Sequence, residues 1–161
     1  MTPTENTLDR LAFLARLVQR EYDHLALTDQ RLFFHPFTAE RARTLADDID
    51  EAERVEAFVG RFGRLQDTLG DKLIPAYLGA LGEQPRPVMD TLDRAERLGI
   101  IPDSTNWMAM RQLRNQMVHE YIEDAVVLAS ALQSGHEFVP VLGQTMRNCL
   151  DDLRRRGWLT S

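Results

Sequence analysis

One stretch holds four side chains that could act together on a phosphate: Arg111, Arg114, Asn115 and His119. His119 has the one side chain that readily exchanges protons near neutrality. It could take the proton from a ribose 2′-hydroxyl or give one to a leaving oxygen. Arg114 is permanently charged and forked, which suits a non-bridging phosphate oxygen whose charge grows in a transition state. Asn115 lies four residues before His119, on the same helical face, and could orient the imidazole or the phosphate. Arg114 and His119 are five residues apart, about 140° around a helix axis. They converge best in a groove where a second copy of the helix supplies the matching pair, and a two-fold homodimer provides that arrangement.

The helix that must carry them is legible. Trp107, Met110, Leu113, Met117 and Tyr121 recur at three- and four-residue steps and predict one apolar face, while Arg111, Asn115 and His119 mark another. No long alternation of period two occurs, so no strand is expected. A first helix should run from Glu5 into the low thirties, with Leu8, Leu11, Leu14, Val18, Tyr22 and Leu25 inward. Pro36 should help end it, and Phe33, Phe34 and Phe37 should plug one end of the core. Thr38 can cap the next helix, and the acidic segment Asp47 to Glu51 suits a break or a fresh helix start.

Val55, Phe58, Phe62, Leu65 and Leu69 form a strong apolar stripe. Gly60 and Gly63 run through it, each weakening a helix by about 1 kcal/mol against alanine, which points to a neighbour packed closely on that turn. Pro75 should kink or end this helix. After the connector Gln84 to Pro87, a short helix should bury Val88, Leu92, Ala95 and Leu98 and stop at Gly99. Asp103 or Ser104 should cap the motif helix. Asp124 should cap a helix from Ala125 to Gln133 that Gly135 stops, and a last helix should span His136 to Arg156. The expectation is an all-α fold, an antiparallel helical bundle of about five to six helices, with residues 1–161 as a single domain.

Composition narrows the function classes. The hydrophobic share is 43% and the charged share 27%, both globular values. A net charge of -6 argues against a broad basic face that coats nucleic acid, though not against a small basic pocket. Cys149 is the only cysteine, so no internal disulfide can form and no cysteine-rich metal site exists. It reads as core rather than nucleophile. No phosphate-binding glycine loop and no His-Glu-x-x-His occur, so neither a metal nor a cofactor is expected. The N-terminus is polar and no apolar run is long enough to span a bilayer, so a cytoplasmic protein with no membrane partner is expected.

The octet Arg114-Asn115-Gln116-Met117-Val118-His119-Glu120-Tyr121 resembles the signature of HEPN domains, closest to the HepT-like toxins. In that pattern an arginine and a polar residue precede a histidine, with a tyrosine two positions beyond. The segment Phe58 to Pro75, with Arg61-Phe62 and Gln66-Asp67, is similar to the second helix of such proteins. The resemblance implies a HEPN-like bundle and a metal-independent endoribonuclease toxin acting as a homodimer on RNA. Arg114, His119 and Asn115 would be its catalytic set. It also implies a partner antitoxin, a minimal nucleotidyltransferase, that silences the toxin by AMPylation of Tyr121. A bulky anionic adduct there would block the groove and repel RNA phosphate. The alternative is a non-catalytic HEPN-like module that binds substrate for a nucleotidyltransferase.

Each residue also has a plainer role. Arg114 alone reads as a surface arginine, His119 as a partly buried histidine, and Tyr121 as the aromatic end of the apolar stripe. Arg111 reads first as a surface residue that could assist phosphate binding. Arg61, Arg64 and Asp67 read as structural or supporting residues that could line the groove.

Overall fold

The computed structural model describes residues 2–119 and 124–160, with His119 described through its backbone alone. Within them the apolar periodicities close into helices, and no strand forms. Helix α1 spans Glu5–Leu32, capped by Thr4, whose hydroxyl accepts the amide hydrogen of Thr7 at 3.2 Å. Leu11, Leu14, Val18, Leu25 and Leu32 along it are wholly buried, each burial worth about 1.5–3 kcal/mol.

At the end of α1, Phe33 and Phe37 turn inward and meet edge to face. Phe34 does not; it is 59% exposed, which corrects the expectation of a three-ring plug. Its ring lies under the guanidinium of Arg41 instead, at 5.0 Å. Arg41 also donates to the carbonyls of Leu32 and His35, both at 2.8 Å, and pairs with Glu51. It thereby satisfies carbonyls that the end of a helix leaves without partners.

Helix α2, Ala39–Arg43, is capped by Thr38, and a 3₁₀ turn follows at Leu45–Asp47. Helix α3, Ile49–Asp67, starts on Asp48, which accepts from the Glu51 amide at 3.1 Å. Its stripe of Val55, Phe58, Phe62 and Leu65 is fully buried. A π turn, Thr68–Leu73, leads straight into helix α4, Ile74–Ala80. Pro75 therefore does not end the helix. It sits in the first turn of α4, directly after the turn where the hydrogen-bond ladder has already loosened, so its missing amide hydrogen costs little. Gly82, at φ +89°, closes this rod.

Helix α5, Val88–Arg97, buries Leu92 and Ala95, and Gly99 at φ +77° ends it. Val88 is 44% exposed rather than inward, because the first turn of α5 leaves the connector before reaching the core. Helix α6, Ser104–His119, carries the motif, and α7 spans Ala125–Arg155. Two helices were expected where α7 runs as one. Gly135 is not a stop but a buried contact: a Cβ there would lie 2.5 Å from Met117 Cε and 3.2 Å from Phe58 Cε1. Pro140 lies inside α7 on an exposed position.

Merging the two segments makes α7 long and apolar enough, by length and composition, to cross a membrane. In this fold Leu128, Leu132, Leu142, Met146, Leu150 and Leu153 of α7 lie in the core. Because α3 and α4 form one rod, the described residues make six helical rods, and the fold is an all-α helical bundle. Helix α1 packs on α3 and α7, and α6 is held against α3, α5 and α7.

Candidate functional site

Helix α6 is fixed at both ends of its described length. Asp103 accepts from the Asn106 amide at 2.9 Å, which caps the helix. The Ser104 amide donates to Glu96 and its hydroxyl to Asp93, each at 2.7 Å, and these bonds tie the start of α6 to α5. Trp107, Met110 and Met117 are buried as expected, while Leu113 is half-buried against the core. The Trp107 indole packs on Gly70 of the π turn, where a Cβ would lie 3.0 Å from Nε1. The Gln66 amide reaches the Trp107 carbonyl at 3.5 Å.

With the helix anchored, its polar side chains part. Arg114 crosses α3 at Gly63, where a Cβ would lie 2.5 Å from the arginine Nε. One turn further along α3, Asp67 Oδ2 accepts from Arg114 Nη1 at 2.7 Å. The two side chains are 40% and 39% exposed, so the pair is oriented yet open to solvent. The close neighbour that the glycines predicted is thus Arg114, and it sits on Gly63 alone; a Cβ at Gly60 would meet only Arg64, at 3.4 Å. Asn115 is exposed beside Arg114. His119 is the last residue of α6; its side chain, and all of Tyr121, lie outside the described residues.

The remaining predicted residues face elsewhere. Arg111 is half-buried and lines a separate cleft of about 480 Å³ with Gly70, Asp71, Pro75 and Arg86. Arg61 and Arg64 turn toward α1. Arg61 donates to the Thr28 hydroxyl and, at 3.3 Å, to the His24 carbonyl, while Arg64 Nε reaches the Gly60 carbonyl at 3.3 Å. With Glu21 and His24 they enclose a small cavity of about 150 Å³. The structure therefore joins Arg114 to Asp67 and places Arg61 and Arg64 on the neighbouring flank of α3.

Glu21, a wall of that small cavity, is a half-buried carboxyl that the apolar pattern of α1 does not reveal. Its Oε1 is buried and has no hydrogen-bond partner among the described residues. Burial raises its carboxyl above the ordinary value; the Thr68 hydroxyl and the charges of Arg64 and Lys72 oppose the shift, and Asp67 adds to it. Cys149 is wholly buried, and burial with nearby Asp152 pushes its thiol up to about 12, so no thiolate nucleophile stands there.

No protein-family model, curated protein or solved structure matches the chain.

Proposed function

We propose that this chain is a metal-independent endoribonuclease of the HEPN, HepT-like kind, working as a homodimer. The observation that carries the reading is the placement of Arg114. It is held by Asp67 across Gly63 and remains solvent-facing, with Asn115 exposed beside it and His119 closing the same helix. A carboxylate on one edge of the guanidinium fixes its plane and leaves other donors for a phosphate oxygen.

In the proposed reaction His119 accepts the proton of the ribose 2′-hydroxyl, and the 2′-oxygen attacks the adjacent phosphorus. The bond to the 5′-oxygen breaks, and that oxygen takes a proton from the imidazolium of the second copy. The products are a 2′,3′-cyclic phosphate and a 5′-hydroxyl. Arg114 balances the negative charge that builds on the non-bridging oxygens. A dimer also suits the apolar surface flanking the motif: Val118 on the last turn of α6 and Val126 on the first turn of α7 are 56% and 57% exposed.

The same reading includes a toxin–antitoxin pair, with a cytoplasmic minimal nucleotidyltransferase as antitoxin and Tyr121 as its AMPylation target. Intact-mass analysis after co-expression with such an enzyme should show AMP additions that Tyr121→Phe abolishes; an unchanged mass removes the modification. For the nuclease itself, purified protein is incubated with RNA in EDTA. Cleavage should disappear in both His119→Ala and Arg114→Ala. Cleavage surviving both substitutions contradicts the assignment. A wild type that cuts nothing but retains a nucleotidyltransferase points to the non-catalytic module instead.

A further inference from the structure

We propose that a row of basic side chains on α1 and α3 forms a track for the phosphates of single-stranded RNA, leading to Arg114; the inference rests on the ribonuclease reading above. Arg16, Arg20 and His24 recur at four-residue steps on one face of α1. With Arg154 of α7 they line an open groove of about 630 Å³. His24 is also a wall of the smaller cavity formed with Arg61 and Arg64. Arg64 directly follows Gly63, the residue that Arg114 crosses. His24 thus lines both hollows, and the turn of α3 that carries Arg61 and Arg64 also carries Gly63, over which Arg114 crosses from the other flank.

The charge along this row runs against that of the molecule, which carries -6. Like charges four residues apart on a helix repel, so Arg16 and Arg20 gain nothing from each other. Among the described residues neither is in an ion pair. The carboxylates nearby offset the row only in part. Asp23 accepts from Gln19 at 3.1 Å, Asp151 pairs with Arg154 at 3.3 Å, and Glu21 lines the smaller cavity with Arg61 and Arg64. Steps of four residues set these side chains about 6 Å apart along the axis, a spacing that suits successive phosphates of an extended strand. A concave row of this kind fits one polyanionic chain better than a flat anionic surface.

The test uses full-length protein and a fluorescein-labelled 2′-O-methyl oligoribonucleotide, which binds but cannot be cut. Anisotropy is read over a range of salt for wild type, for Arg16→Gln with Arg20→Gln, and for Arg43→Gln with Arg97→Gln, which removes equal charge from exposed positions outside the row. The α1 pair should weaken binding about tenfold and reduce the slope of log K against log salt by about 1.4, since each phosphate contact on a single strand contributes about 0.7. The control pair should leave both close to wild type. Equal losses in the two double variants, or none in the α1 pair, overturn the track. Stronger arginine-dependent capture by phosphatidylserine vesicles than by the oligonucleotide also overturns it. Arginine-dependent binding by a protein that cuts no RNA upholds the track while removing the nuclease reading.

Discussion

The guanidinium of Arg114 occupies the space that a side chain at Gly63 would fill: a Cβ there would lie 2.5 Å from its Nε. The arginine is the flexible partner in this contact and can swing toward solvent. Gly63→Ala should therefore cost little stability, and the gain in helix propensity, about 1 kcal/mol, can make the variant more stable. The displaced guanidinium should leave Asp67, and RNA cleavage should fall at least tenfold. Urea unfolding and a cleavage assay on one preparation check both halves. A variant that unfolds early, or one that cuts normally, contradicts this account of the contact.

Asp67 acts on the site only through Arg114, so it is a positioning residue. The pair is about two-fifths exposed on each side, and exposed ion pairs contribute roughly 0–1 kcal/mol. Asp67→Asn should leave the melting temperature nearly unchanged while lowering kcat about tenfold, and Asp67→Glu should recover part of it. A loss of kcat matched by a loss of stability would make the residue merely structural.

Much of this arrangement was legible before the fold. The stripes on α1 and α3, the caps Thr38 and Asp124, the fresh helix start within the acidic segment Asp47 to Glu51, and the terminating Gly99 follow from spacing and residue type. The glycines of α3 announced a close neighbour but could not say which, because Gly63 and Arg114 are distant in sequence and meet only when α3 and α6 pack. Gly135 looked like a stop for the same reason: a buried glycine against Met117 and Phe58 is indistinguishable by sequence from one that ends a helix. That the groove on α1 and the cavity at Arg61 and Arg64 share His24 depends on how α1 lies on α3, which spacing within either helix does not give.

Gly135 supplies its own prediction. An added methyl group would meet Met117 Cε at 2.5 Å and the Phe58 ring at 3.2 Å. Met117 can shift, but the buried ring has less room. Gly135→Ala should lose about 1–3 kcal/mol through overpacking, despite the better helix propensity of alanine. Chemical denaturation measures it. A variant at least as stable as wild type would mean that this turn of α7 does not pack against α3 and α6 as described.

Glu21 makes stability depend on pH. Its carboxyl is raised on folding, chiefly by burial, so the folded chain binds that proton more tightly than the unfolded one. Stability then falls as pH rises from the ordinary value of 4.5 through the folded value, and the loss is complete above it. Glu21→Gln removes this loss. The variant should have the higher urea midpoint at pH 7, with an advantage that shrinks to nothing below pH 4.5. A lower midpoint at pH 7 would show that Glu21 gains more from Arg64 and Lys72 than burial costs it.

The central claim, transesterification at an Arg114–His119 site, is tested most directly by the ends of the RNA it produces. An oligoribonucleotide is digested in EDTA, and the fragments are weighed by mass spectrometry beside a copy carrying a 2′-deoxy residue at the cut position. Wild type should give 2′,3′-cyclic phosphate and 5′-hydroxyl ends, with no cut at the deoxy position, and neither His119→Ala nor Arg114→Ala should give fragments. Cleavage at the deoxy position, or 5′-phosphate ends that persist in both variants, would contradict it.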